Sequence, residues 1–507
     1  MLVIPSRRLQ QELTFVGRRP RPSSSAQLSI TMAPITVPSE MDNKDFLQMT
    51  AKSHVLESED MPNGLRKLGM HIGDHVYPVY LGYNKLPELI AELKKLDLDK
   101  VFLGYDEMTA KHCGPKLEAE LTKAGVPFQR CVMGLTEAAK TVSTLDMILE
   151  TFLKGGGSRK TIMMPVGGGI VSNTFGLAAG LLFRGIRLVQ VPTSFLNAHD
   201  AAASSQKQAV NHAGYKNIVG LYHCPHMVLV DTSFYSSLGS VQMKAGLGEL
   251  TKNAALFGGV HYDLMKKTTK VKGWQLSGED LVEATFTGIG AKDMLLKLDP
   301  REKHIALLFE YGHTIGHALE LTEGTITSHG EGVAIGMLGA SYIAHKMGIM
   351  SDKDREEHDE LIKWLDPEIY LPDRDLTEEV LDKVLHDNKR GYIPEKEGFA
   401  PFILAKRIGE MHYPNIYYLE YVPVPLVKEA IVYVVDRMRK RGYTGGKAGE
   451  PGATRKGRSA KPLKRHPSSF IYGDDLPEAK LAKTLDKGLT KEKSIKLQDG
   501  FKPAPKQ

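Results

Sequence analysis

The sequence predicts an α/β chain in two parts: a doubly wound parallel sheet in the first half, then an all-helical domain. Three observations carry that reading. Short apolar runs alternate with helix-period segments through the first half, the pattern of βαβ units. A glycine-rich turn follows one such run and opens a helical one. After about residue 234 the strand-like runs give way to long segments of helical period.

Taken in order, residues 46–233 form the first domain. VYPVYLGY, VFLGYD, TIMMPV, RLVQVPT and HMVLVDT read as strands, while LPELIAELKKL and FGLAAGLLF carry apolar residues at helix spacing. Residues 234–438 form the second domain, with KAGLGELTKN, EATFTGIGAKDMLLKL, HIALLFEYGHTIGHALEL and GVAIGMLGASYIAHKM as its helical runs. Residues 1–45 hold Arg7, Arg8, Arg18, Arg19 and Arg21 among serines and prolines, which suits a flexible extension or an organellar transit peptide. From 439 to 507 Gly, Pro, Lys and Arg dominate; that composition buries too little apolar surface to offset ordering entropy and predicts a disordered basic tail.

Of 507 residues, 42% are hydrophobic and 25% charged, an ordinary globular balance. The net charge of +6 is modest, and much of the basic excess sits in the two ends, so nucleic acid is not an expected partner. Cys113, Cys131 and Cys224 stand far apart with no CxxC spacing, which suggests neither a disulfide framework nor a thiolate zinc site and suits a reducing compartment. No run of about 18 uninterrupted apolar residues occurs, so no membrane span is expected.

PVGGGIVSNTFG, from Pro165 to Gly176, places Gly167, Gly168 and Gly169 where the chain passes from strand to helix. Such a turn lets the backbone approach a pyrophosphate at a helix N-terminus. It lacks the GxGxxG fingerprint, and a tight turn with no ligand reads the same way.

In EYGHTIGHALE, His313 and His317 lie four apart and so share a helical face. Such a pair is more often two satisfied core or surface histidines than a metal site. Two further features favour a metal. Ser328 and Glu331 have capping-box spacing, which puts His329 in the first turn of the next helix. KAGLGELTKN offers Glu249 in a largely apolar helical setting, with Lys252 three residues on. One carboxylate and two histidines with a position left open suit catalytic zinc or a similar divalent ion. QKQAVNHAGYKNIVG holds Lys207, Lys216 and Asn217 just after VPTSFLNAHD, whose Asp200 ends a strand-like run. Singly these read as solvated loop residues. With Arg184 in FRGI and Lys389 in HDNKRGYIP they supply charge enough to hold a phosphate.

Over about residues 65–430 these runs resemble the sugar phosphate cyclases, the family of 3-dehydroquinate synthase. The likeness rests on ordered motifs: the E-x-x-K of Glu137 and Lys140, GGGIVSN, FRG, VPTS, the HD before KQAVN, GYKN, AGLGELTKN, GHTIGHALE and SHGEGVAIGM. It implies a dehydroquinate synthase-like fold, with NAD on the first domain and one zinc or cobalt ion on the second. By that likeness Glu249, His313 and His329 are the metal ligands, and His317 is a separate catalytic histidine facing the substrate phosphate. Asp106, Glu137, Lys140, Gly168, Gly169, Ile170, Asn173, Thr193 and Ser194 fall to the NAD site. Lys207, Lys252, Asp200 and Glu310 join His317 in catalysis. Lys216, Asn217, Lys292 and Lys389 bind substrate, with Arg184 reaching in from a neighbouring subunit. A homodimer is implied, and a cytoplasmic location unless residues 1–40 are a transit peptide.

The same resemblance implies catalytic use of NAD: transient oxidation of a ring hydroxyl, β-elimination of phosphate, re-reduction, ring opening and aldol closure. Departures from the family pattern bear on the substrate. Where dehydroquinate synthases carry an arginine and an asparagine before the metal histidine, HIALLFEYGH has no arginine and has Glu310 at the asparagine's place. A carboxylate there repels an anionic substrate group and favours a neutral polyol. Asn173 replaces the usual aspartate after the glycine turn. With KQAVN, FEYGHTIGHALEL and HDNKRGYI, these features are similar to the 2-deoxy-scyllo-inosose synthases, which cyclise glucose 6-phosphate. A one-residue insertion in AAASSQ keeps sedoheptulose 7-phosphate as an alternative substrate. 3-Dehydroquinate synthesis, a metal-dependent polyol dehydrogenase and a non-catalytic binding protein are the competing readings.

Overall fold

The computed structural model describes residues 57–213 and 215–441. The expected extension 1–45 and, from residue 442 on, the expected tail 439–507 lie outside the described residues. Ten strands belong to the first half: β1 (Ser58–Asp60), β2 (Arg66–Ile72), β3 (His75–Gly82), β4 (Val101–Asp106), β5 (Phe128–Met133), β6 (Ile162–Gly167), β7 (Val189–Pro192), β8 (Lys207–His212), β9 (Tyr215–Tyr222) and β10 (Met227–Asp231). Eight form one sheet in the order β1-β2-β3-β10-β7-β6-β4-β5. Every pairing from β3 to β5 is parallel. β4, β6 and β10 are buried almost throughout, as strands covered by helices on both faces must be.

Two features depart from the doubly wound expectation. The sheet is mixed, because β1, β2 and β3 pair antiparallel at one edge. The polar QKQAVNHAGYKNIVG segment is a separate antiparallel hairpin, β8 with β9. Gln208 and Val210 alternate inward on β8, 3% and 0% exposed, and the Gln208 amide packs onto Gly176 of the Gly169–Leu181 helix. A buried glutamine hides the period-2 signal that an apolar residue would display.

The second half is mostly helical, led by helices Ser240–Phe257, Glu279–Leu296, His313–Glu320, His329–Lys346, Asp352–Leu365 and Val424–Lys440. It is not purely so: β11 (Phe399–Phe402) pairs with β14 (Glu420–Pro423), and β12 (Ala405–Arg407) with β13 (Glu410–Met411). The last helix carries through Arg439 and Lys440, two residues into the segment expected as tail. One apolar core runs from Leu65 to Met438 and joins the sheet to these helices, and a second, built around Phe102, Phe152, Met163 and Phe175, packs the Val142–Lys154 and Gly169–Leu181 helices on the sheet. No helix among the described residues is long and apolar enough to cross a membrane.

Glycine pairs bring three of those helices into backbone contact. A Cβ on Gly248 would sit 2.1 Å from the Gly330 carbonyl, and one on Gly330 would sit 1.9 Å from that of Ala245. Gly336 packs on the Gly312 carbonyl and Gly316 on that of Gly332 in the same way, at 1.9 and 2.7 Å. Any side chain at these points forces the helices apart. The crossings therefore fix where Glu249, His313 and His329 stand relative to one another.

Candidate active site

Glu249 lies in the Ser240–Phe257 helix, His313 begins the His313–Glu320 helix with His317 in its last turn, and His329 is the first residue of the His329–Lys346 helix. The spacing of Ser328 and Glu331 marks that start correctly, but by another bond. The Ser328 hydroxyl donates to the Glu331 carboxylate at 2.7 Å and caps no backbone N–H.

Glu249 Oε1 stands 3.5 Å from His313 Nε2 and 3.4 Å from His329 Nε2. Ligands bound at ~2.0–2.1 Å around a tetrahedral ion are about 3.3–3.5 Å apart, so these separations match a shared ion. That oxygen is buried and accepts no hydrogen bond, while Oε2 pairs with Lys252 Nζ. A buried carboxylate oxygen without a donor has its natural partner in a cation. The other ring nitrogens are already held: His313 Nδ1 by the Tyr311 carbonyl at 3.2 Å, and His329 Nδ1 by Glu320 at 3.3 Å. Such anchors put the proton on Nδ1 and leave Nε2 to ligate.

The three imidazoles also cluster among themselves, with ring nitrogens within 4.8 Å of one another. His317, however, makes no hydrogen bond among the described residues that would fix its tautomer. Its ring meets His313 edge-on at 4.9 Å and stacks on His329 at 5.4 Å between centroids. His313 and His329 belong to both possible ligand sets, one completed by Glu249 and the other by His317, and only the first set has each of its non-ligating ring nitrogens anchored.

Electrostatics agree. Burial pushes His313 down to about 3, so it is a neutral ring with a free lone pair. Burial lowers His317 as well, helped by the charge on His329. Burial opposes a charge on His329, yet the Glu249 and Glu320 carboxylates beside it outweigh that and push it up to about 10. A position that draws a proton between two carboxylates draws a divalent cation for the same reason. Glu249 is held well below the usual carboxylate range: burial opposes this, but Lys252 and the two imidazoles prevail.

Lysine–carboxylate pairs surround this centre. Asp200 meets Lys292 at 3.0 Å. Lys389, 1% exposed, meets Asp387 at 2.7 Å and Glu310 at 3.5 Å. Burial opposes ionisation of Glu310, but Lys389 beside it keeps the carboxyl ionised. Its charge is thus partly answered within the protein, which the sequence did not reveal. Lys207 pairs with Glu302 at 2.5 Å. Asp200 does not end a strand; β7 stops at Pro192 and Asp200 sits in the π-helical turn Asn197–Ala201.

The cofactor candidates gather at the carboxyl ends of adjacent strands. Asp106 closes β4, Gly168 and Gly169 follow β6, and Thr193 and Ser194 follow β7. The Thr193 N–H donates to the Gly167 carbonyl at 3.0 Å. Gly168 and Gly169 have no positive φ, and a Cβ there would meet only Ser194 Oγ at 3.7 Å and Asn197 Oδ1 at 3.9 Å. Packing does not require these glycines, whereas a pyrophosphate approaching the helix N-terminus would. Ile170 and Asn173 are half-buried in the first turns of that helix. Asp106 caps its following helix, accepting from the Thr109 N–H at 2.8 Å. Glu137 accepts from Asn211 at 2.9 Å, and Lys140, 3% exposed, donates to Asn217 at 2.5 Å. The NAD and substrate candidates therefore meet on the hairpin. Lys216, also on β9, acts on the charges of both Glu320 and Lys140. Arg184 does not join the cluster: it is exposed at the end of the Leu182–Arg184 turn, with φ of 67° and no ion pair among the described residues.

Sequence reasoning missed Glu320, Phe309 and Asp387, whose partners lie far along the chain or depend on the fold. Only Asp387, two residues before Lys389, carried a local signal.

A mostly parallel sheet with an uncapped glycine turn is thus joined to a largely helical half that brings Glu249, three imidazoles and Lys252, Lys292 and Lys389 together. Residues 130–245 match the 3-dehydroquinate synthase N-terminal family model and residues 246–390 the C-terminal one. A 2-deoxy-scyllo-inosose synthase from Streptomyces fradiae is 33% identical over 384 residues, 76% of this chain and 88% of that protein. One from Niallia circulans is 38% identical over 295 residues, 58% and 80% of the two chains. The crystal structure of a 2-deoxy-scyllo-inosose synthase complexed with carbaglucose-6-phosphate, NAD+ and Co2+ superposes with a TM-score of 0.66 at 33% identity, covering 72% of this chain and 99% of that one. The chain belongs to the 3-dehydroquinate synthase family of sugar phosphate cyclases.

Proposed function

We propose that the protein converts glucose 6-phosphate to 2-deoxy-scyllo-inosose, releasing inorganic phosphate with no net redox change. The observation that carries this reading is the unsatisfied Glu249 oxygen facing two tautomer-locked imidazoles inside a ring of lysine–carboxylate pairs. NAD at Gly168 and Gly169, and one zinc or cobalt ion at Glu249, His313 and His329, supply when bound a hydride acceptor and a Lewis acid.

The remaining work falls to side chains. Lys252 keeps Glu249 ionised. Asp200 and Lys292 offer an acceptor and a donor to substrate hydroxyls. His317, neutral through burial, takes and returns the proton that moves as phosphate leaves. Lys389, Lys207, Lys216 and Asn217 hold the phosphate, with Arg184 entering from a second copy of the chain. Glu310 accepts from a hydroxyl and disfavours a carboxylate-bearing substrate. Relatives that bear the inosose synthase name, and the carbaglucose-6-phosphate complex of one of them, support this choice. A homodimer and a cytoplasmic location, consistent with three unpaired thiols, belong to the same reading.

The test is phosphate release from glucose 6-phosphate, sedoheptulose 7-phosphate and the seven-carbon keto acid phosphate that precedes dehydroquinate, with NAD and Zn²⁺ or Co²⁺. Release from glucose 6-phosphate alone is expected, with the cyclitol identified by mass spectrometry. Release from sedoheptulose 7-phosphate assigns a valiolone-type product instead. Turnover of the keto acid phosphate alone defeats the Glu310 argument, and net NADH from a simple polyol defeats the cyclase assignment.

A further inference from the structure

Two lysines of the site share an aromatic neighbour. Phe309, 3% exposed in the Ile305–Glu310 turn, has its ring centroid 4.0 Å from Lys292 Nζ and 5.3 Å from Lys252 Nζ. The next residue, Glu310, turns instead to Lys389. One short turn thus addresses three lysines, two through a ring face and one through a carboxylate.

A buried ammonium is costly unless compensated. Lys252 has Glu249 and Lys292 has Asp200. The ring face adds attraction for both charges without occupying a directed N–H bond, since its quadrupole acts over the whole face. Each ammonium then keeps donors for an arriving oxygen. A carboxylate in the ring's place would claim those donors and cancel the charge. Phe309 also packs edge-on against Phe257 at 6.4 Å, and a leucine would fill much of that volume. Holding two cations is what only the ring supplies.

We propose that Phe309 is a positioning residue that fixes the Lys252 and Lys292 ammonium groups for substrate through its ring face. The inference rests on reading the site as one for a sugar phosphate. It is tested by replacing Phe309 with mono-, di- and trifluorophenylalanine, which drain the ring face of negative potential with little change of shape. In the NAD-loaded, metal-free protein, Kd for glucose 6-phosphate measured by calorimetry should weaken stepwise, by about tenfold across the series. The kcat/KM for phosphate release should fall in parallel. In the ligand-free protein the melting temperature should also fall stepwise. Fluorine only adds hydrophobic burial, so a Phe309 that merely fills the core gives a flat or rising melting series, and that result overturns the proposal. Flat Kd and kcat/KM values overturn it equally. If the unsubstituted protein neither binds nor turns over glucose 6-phosphate, the substrate reading falls, while the melting series still decides the role of Phe309.

Discussion

His313 and His317 sit one helical turn apart, yet their surroundings part them: one has its Nδ1 bound to a carbonyl and its Nε2 facing Glu249, the other has neither. His313→Ala should therefore empty the metal site, with bound zinc or cobalt falling to near zero by elemental analysis. His317→Asn should keep the ion and lower kcat by roughly 10²–10⁴. Equal metal loss in both variants would show that the three imidazoles act as one ligand set. Glu320→Ala removes the anchor on His329 and should weaken metal affinity by about 10–100-fold, read by chelator competition. Spacing alone revealed the histidine pair, because helix geometry is local. Glu320 was not legible: it reads as an ordinary acid at a helix end, and its partner is nine residues on, across a turn.

At the scale of elements, the glycine crossings decide whether those residues meet. Gly248→Ala should destabilise the fold by about 1–3 kcal/mol in urea unfolding and loosen metal binding, because the new methyl collides with the Gly330 backbone. Gly134→Ala, exposed, with no positive φ and only Glu107 Oε1 within 4 Å at 3.8 Å, controls for loss of a glycine as such. The Asn197–Ala201 turn adds a pH dependence. Burial pushes His199 down to about 4, and neither ring nitrogen has a hydrogen-bond partner. The unfolded chain binds a proton there near pH 6.5, so His199 contributes stability fully above that pH and loses it as pH falls towards 4. The loss amounts to about 3 kcal/mol. Comparing urea midpoints at pH 7.5 and 5 for the native protein and His199→Leu should show a smaller pH effect in the variant. The parallel strands were legible because both of their faces are apolar. The β8–β9 hairpin was not, since Gln208 and Asn211 carry its inward and cofactor-side contacts in polar form.

At the scale of the molecule, one apolar core joins sheet and helices, so the two parts should unfold together. An ion at Glu249, His313 and His329 ties three helices of that core to one point. Binding to the folded chain alone stabilises it by about 4 kcal/mol when free metal is a thousandfold above Kd. Removing the ion with a chelator should accordingly lower the melting temperature by roughly 5 °C or more as a single transition. Glu249→Gln should start near the chelated value and hardly respond to chelator. A shift confined to one of two separate transitions would mean that the helices melt independently of the sheet. The metal site would then be a local clamp on the helical part, and the glycine turn that receives NAD would stay folded without it.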